Sequence, residues 1–217
     1  MAQLIDITRV VVGTEYLTAT VHISNDGPLM TSEDLEATTR VYNLLPTIID
    51  HACAGDAGMT FKDCMGDTEI AHLLEHVTVE LLARSNLTDE VIAGRTWREL
   101  AYDRTYSIQL PCIDDVLVSG ALSSAIWIVT WAFTGGAGAV PDVDATVKGL
   151  VQLVQSLPVE GEGGELPADE PVDDYFEEDA AEEFDDSYDD DFGPDADYDD
   201  YEDEEFDRGP SMSQKII

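Results

Sequence analysis

The sequence predicts an α+β domain: a small antiparallel sheet, built from an N-terminal hairpin plus a later strand, packed with about four helices and followed by a disordered acidic tail. Three observations carry this expectation. Leu17, Ala19, Val21 and Ile23 alternate with Thr18, Thr20 and His22, the period-two pattern of a half-buried strand. From Asp67 or Thr68 to about Ser85, the residues Ile70, Leu73, Leu74, Val77 and Leu81 recur every three or four positions, as on one face of a helix. After Pro158 the composition turns abruptly to Asp, Glu, Gly and Pro with interspersed Tyr and Phe, too charged and too poor in aliphatics to bury a core.

The elements follow in order. Residues 4–12 and 16–24 are rich in β-branched side chains and form the hairpin, turning at Gly13-Thr14-Glu15. Asn25-Asp26-Gly27-Pro28 breaks the chain. Thr31 or Ser32 then opens a helix with Leu35, Thr38, Tyr42, Leu45 and Ile49 at spacings of three and four, which Pro46 kinks or shortens. Residues 55–67 read as loop, with Gly55, Gly58 and Gly66 as turns, ahead of the helix to Ser85. Tyr106, Ile108 and Leu110 alternate with Ser107 and Gln109, which places the third strand at 105–112. An uncharged helix from about 114 to 133 and a shorter one at 143–157 close the body. The domain therefore spans 1–157 and the acidic tail 158–217.

Charge sharpens that division. The 217 residues carry 47 Asp plus Glu against 10 Lys plus Arg, a formal net charge of −37. Residues 158–207 hold 26 of those acids and no base, leaving 21 acids against 8 bases in the body. So acidic a chain excludes an unassisted nucleic-acid binder, because phosphate affinity comes from Lys and Arg displacing counterions. It favours cationic partners: a cationic peptide for the body and a basic protein for the tail.

Residues 116–140 carry no charge and are numerous enough to span a bilayer. Ser119, Gly120, Ser123, Ser124, Thr130 and the Gly135-Gly136-Ala137-Gly138 run dilute the segment, and its flanks are Asp114, Asp115 and Asp142 rather than Lys or Arg. The expectation is a buried core helix and no membrane contact. Cys53, Cys64 and Cys112 are odd in number and lack paired spacing, and residues 1–12 show no leader pattern, which reads as a reduced, cytoplasmic protein.

The sharpest chemical feature is His72-Leu73-Leu74-Glu75-His76 within the clearest helix. Two His four positions apart share a helix face about 6 Å apart along the axis, which suits two nitrogens meeting one Zn²⁺. The His-x-x-Glu-His order is that of inverzincin-type peptidases, in which the Glu is general base. The candidate roles are His72 and His76 as ligands and Glu75 as catalytic base. A catalytic zinc takes a third protein ligand. Glu80 sits about 12 Å of helix rise from His72, so His51 is the preferred third ligand and Glu80 an outer partner or alternative ligand. Cys53 and Cys64 offer a mixed Cys/His site as an alternative to inert thiols, and Arg95 in Gly94-Arg95-Thr96 offers a fork to a substrate carboxylate as an alternative to an exposed turn. His22 lies on the polar side of its strand and reads as a surface residue.

Leu45-Pro46, Asp50-His51-Ala52-Cys53, Gly66-Asp67-Thr68, the run from His72 to Leu81, and Gly94-Arg95-Thr96 together resemble the N-terminal domain of cyanophycin synthetase. The order and spacing match over residues 45–122. In that family the domain accompanies an ATP-grasp and a Mur-ligase-like domain that build an arginine-bearing poly-aspartate, and it can carry a metallopeptidase-like site that cuts the polymer into primers. The resemblance puts His72, Glu75, His76 and Glu80 on the family's helix motif and His51 on its upstream His. With neither ligase domain in these 217 residues, it implies a stand-alone relative that hydrolyses an amide bond in a cyanophycin-like peptide rather than polymerising one. Residues 54–65 lack the basic character of family members.

Overall fold

A computed structural model of the chain describes residues 3–53, 58–87 and 93–157. The acidic tail expected at 158–217 lies outside the described residues. The architecture is α+β, as the sequence predicts. Strands β1 (Ile5–Val12), β2 (Tyr16–Ile23), β3 (Arg95–Arg98) and β4 (Thr105–Pro111) form an antiparallel sheet in the order β1-β2-β4-β3. Helices α1 (Leu35–Leu44), α2 (Ile70–Ser85), α3 (Asp115–Phe133) and α4 (Val143–Ser156) complete it.

The alternation in β2 does what its period requires: Leu17, Ala19, Val21 and Ile23 are all fully buried, facing the helices. Tyr106, Ile108 and Leu110 of β4 extend the same apolar face. The first strand departs from the half-buried hairpin expected. Beyond Ile5 all of β1 is exposed, including Val10, Val11 and Val12. It is an edge strand, and a shift of register between Ile7 and Arg9 interrupts the ladder. An irregularity of that kind breaks the inward–outward alternation a plain hairpin would keep.

Pro46 ends α1 early, and residues 46–50 continue as a 3-10 turn with the proline at its start. Proline lacks the N–H that a continuing helix needs, but none is needed at a first turn. Asp34, Asp114 and Asp142 cap α1, α3 and α4 by accepting from the backbone N–H of Ala37, Leu117 and Ala145 at 2.9, 2.7 and 2.9 Å. Asn86, in the left-handed conformation at φ 54°, closes α2.

The long apolar segment is a core helix. Leu117, Val118, Ala121, Leu122, Ala125, Ile128 and Val129 of α3 are buried, and the helix packs against α1, α2 and α4. It is also the one described helix long and apolar enough to cross a membrane, with half of its apolar window buried inside the fold. Arg95 and Thr96, read from the sequence as a turn, instead begin the short edge strand β3, with Thr96 opposite Ile108.

Candidate metal centre

Helix α2 is buried almost all round. Its sheet- and helix-facing residues Leu73, Leu74, Val77 and Leu81 are fully buried, as the periodicity requires, yet Glu75, His76 and Glu80 are buried as well, at 5, 3 and 5 % exposure. Burying ionisable groups is costly unless each finds a partner, and here they find one another.

His72 and His76, one helical turn apart, bring their Nε2 atoms to 3.1 Å. Each ring is held from its far side. His72 Nδ1 lies 2.8 Å from Thr68 Oγ1, on the turn that starts the helix. His76 Nδ1 lies 3.3 Å from His51 Nδ1, and His51 Nε2 lies 2.7 Å from Glu80 Oε2. Glu80 is fixed in turn by Arg84 Nε at 2.7 Å and by the Thr47 hydroxyl. The chain is open to a metal-ready proton assignment, in which the Glu80 carboxylate accepts from His51 Nε2, His51 Nδ1 accepts from His76 Nδ1, and His72 Nδ1 donates to Thr68; with His72 as the other tautomer, its Nε2–H donates to His76 Nε2 instead. In the first tautomer both Nε2 lone pairs face one another, the arrangement that a shared cation would stabilise.

The electrostatics agree. Burial, with His72 and His51 adding to it, pushes His76 down to about 3, so it is a neutral imidazole under ordinary conditions. His72 is also lowered by burial, against the opposing pull of Glu69. For Glu80, burial acts upward but is outweighed by the hydrogen bonds from His51, Thr47 and Arg84, which hold it down to about 2. Neutral imidazoles, one backed through His51 by a carboxylate, are the form in which His binds metals.

Glu75 stands beside this pair. A carboxylate oxygen of Glu75 and one nitrogen each of His72 and His76 all lie within 4.8 Å of one another. Its Oε2 accepts a 2.6 Å hydrogen bond from Thr96 Oγ1 on β3. Burial raises the Glu75 carboxyl, partly countered by that bond and by His51. Gly94 is needed here: a Cβ at this position would stand 2.5 Å from Glu75 Cγ.

A second group shares His72. Cys53 Sγ is 3.5 Å from His72 Nε2 and 3.7 Å from Cys64 Sγ, and the three ligand atoms lie within 4.8 Å of one another. Backbone pairing assembles it: Phe61 N–H donates to His51 O, and Cys53 N–H to Met59 O, laying the chain after the 3-10 turn against the segment that leads to Cys64. Phe61 stacks on the His76 ring at 3.9 Å between centroids and walls the cluster.

The structure thus brings together His72, His76 and Glu75, with Glu80 as the outer partner of His51. A His/Cys/Glu cluster able to hold a metal ion is present. His51 does not sit where a third ligand of the His72–His76 pair was expected; it backs the opposite nitrogen of His76, because the turn that delivers it ends beside Glu80. Arg95 is exposed on β3, beside Thr96 but outside the cluster. Thr68 and Thr96 were not foreseen, since a hydroxyl carries no signal in the sequence until its partner is known. Cys53 and Cys64, weighed from the sequence as a mixed Cys/His site against inert thiols, come together with His72 as the mixed-site alternative requires. No protein-family model matches the chain, and no curated protein matches its sequence.

Proposed function

We propose that this domain is a zinc-dependent amide-bond hydrolase, with His72 and His76 holding the ion and Glu75 as general base, acting on a cationic, cyanophycin-like peptide in the cytoplasm. The observation that supports it most is the convergence of two imidazole nitrogens, 3.1 Å apart, beside a buried carboxylate. Imidazole donors with a carboxylate at hand suit zinc among the common divalent ions. A zinc ion bound there acidifies water and polarises an amide carbonyl.

The chain's own groups supply the rest. Thr96 occupies Oε2 of Glu75 and fixes the carboxylate, leaving Oε1 to take a proton from water and hand it to the departing amine. The raised carboxyl of Glu75 moves its proton affinity toward neutrality, where a base that must also return the proton works best. The body's excess of 13 negative charges, from 21 acids and 8 bases, draws in a peptide that presents guanidinium groups. Glu75→Gln tests the reading: it should keep its zinc and lose hydrolysis of an arginine-bearing peptide.

A second reading rests on Cys53, Cys64 and His72 lying within 4.8 Å of one another. If both thiolates bind, the site is closed, the metal is structural, and the domain is an accessory module whose acidic tail recruits a basic partner. Zinc binding would then require both cysteines, and Glu75→Gln would change nothing in any peptide assay.

A further inference from the structure

We propose that the sheet face turned away from the helices carries a binding site for arginine, held by its guanidinium at one end and by its free α-carboxylate at the other. This goes beyond the hydrolase reading and does not depend on it, because the site lies on the face of the sheet opposite α2.

In β2 and β4 the residues that alternate with the buried aliphatics face away from the helices, where an antiparallel sheet is ordinarily solvated. Thr105 and Ser107 are nevertheless buried there. Residues 99–104 fold back toward them. Glu99 N–H donates to Thr105 O at 2.9 Å. Arg104, in the left-handed conformation at φ 50°, donates to the carbonyls of Ile23, Ser24 and Gly27 at 3.1, 2.7 and 2.6 Å. So pinned, the segment walls an open bowl of about 680 Å³ whose lining includes Arg9, Thr20, His22, Glu99, Tyr102 and Ser107. That volume suits a small molecule.

The proton inventory decides what the bowl can hold. The Thr105 hydroxyl donates to Asp103 O at 3.0 Å, so at its 3.3 Å contact with His22 the imidazole Nδ1–H is the donor. A neutral His22 is left with Nε2 as an acceptor. The Ser107 hydroxyl donates to Glu99 Oε1, which also accepts from Trp97 Nε1 at 3.2 Å. Glu99 Oε2 accepts from no side chain among the described residues. With the hydroxyl protons turned inward, this end of the bowl presents a carboxylate oxygen and an imidazole lone pair beside the exposed Tyr102 ring, a setting for a cation. Thr105 and Ser107, which anchor the two acceptors, are two positions apart on β4, about 7 Å. A guanidinium spans such a gap with N–H groups on different nitrogens, whereas an ammonium donates from one.

The far end has the opposite sign. Arg9 pairs in register with Thr20 on β2, and Thr20 with Ser107 on β4. Two strand spacings, about 10 Å, therefore separate Arg9 from Ser107 along the backbone plane. Arg9 is exposed and forms no ion pair among the described residues. A guanidinium placed there is the partner for a carboxylate on the same ligand. It also repels a ligand that is cationic throughout. Arginine carries the two required charges at opposite ends of one flexible chain.

The test is calorimetric titration of the full chain at about pH 8, where an ordinary His is neutral, with free arginine and two probes. Citrulline keeps the carboxylate and replaces the guanidinium by an uncharged urea. Agmatine keeps the guanidinium and lacks the carboxylate. Each should bind about 10–100-fold more weakly than arginine, the worth of one charge-assisted contact. Glu99→Gln, whose side-chain oxygen can still accept from Ser107 and Trp97, should abolish the advantage of arginine over citrulline. Arg9→Gln should abolish its advantage over agmatine. A wild-type chain that takes up no arginine at millimolar concentration, or takes up citrulline as tightly, overturns the proposal even if a variant does not fold. So does a folded Glu99→Gln or Arg9→Gln protein that keeps the full wild-type preference, which would put arginine elsewhere on this acidic chain. Glu75→Gln should bind arginine as wild type does, so a failed hydrolase and a failed arginine site are told apart.

Discussion

Helices α2 and α3 lie side by side in the core, yet they bury opposite kinds of surface. The buried residues of α3 are Leu, Val, Ile, Ala and Phe, whereas α2 buries Glu75, His76, Thr78 and Glu80 among its aliphatics. A helix can be buried without any such groups, as α3 shows, so the polar residues of α2 are not required for packing. Each adds a desolvation cost that only its partners offset. The partners are five residues drawn from four places: Thr47 and His51 before the helix, Thr68 at its start, Arg84 near its end and Thr96 on β3. So many contacts converging on one buried network are what the proposed site would require.

The largest expected effect lies on the α2 side. Glu75→Gln should lower peptide hydrolysis by about 10²–10⁴-fold, the usual worth of a general base, while metal content by elemental analysis stays unchanged. Loss of zinc in that variant would make Glu75 a ligand and not a base. On the α3 side, truncating the fully buried Ile128 to Ala should cost about 2–5 kcal/mol in denaturant unfolding, with zinc stoichiometry intact in the folded fraction. A loss of metal without loss of stability there would erase the distinction between the helices.

Smaller effects probe the relay. Glu80→Gln removes the carboxylate that orients His51, and through it His76, and should weaken zinc binding about 10–100-fold by competition with a chelator. An unchanged affinity would mean that the chain of hydrogen bonds does not orient the ligand.

The metal-free protein should also be acid-sensitive in a defined window. Burial, aided by His72 and His51, holds His76 near 3 in the fold against 6.5 in an unfolded chain, so the unfolded state takes up that proton first and stability falls as pH drops below about 6.5. Glu80 contributes stability that is present above its unfolded value of 4.5 and lost as pH falls toward about 2. Glu75, raised by burial, acts in the opposite sense above 4.5 and moderates the slope there. Urea titrations between pH 7 and 3 read this directly. His76→Gln should flatten the upper part of the curve.

Much of the fold was legible because periodicity reports burial directly. The alternation in β2 and β4 and the three-four spacing in α2 each placed an element within a few residues of its observed position. Edge features were not legible: β1 looks as apolar as β2 in sequence, and only its place at the sheet margin leaves Val10 and Val12 in solvent. Strand β3 has four residues, too few for a pattern. At the site, His72, Glu75 and His76 could be grouped because one helix sets their spacing. The position of His51 could not, because the turn at 46–50 and the pairing of residues 51–53 with 59–61 decide which side of His76 it meets. The same pairing carries Cys53 to His72, a contact that no spacing rule along the chain encodes.

The most direct measurement is the metal content of the full chain purified without a His tag, compared with His72→Ala and His76→Ala. About one zinc per wild-type chain, lost in both variants while the fold survives by circular dichroism, is the expected result. A wild-type chain that carries no metal and takes up none on titration with zinc would contradict the assignment of α2 as a metal-binding helix.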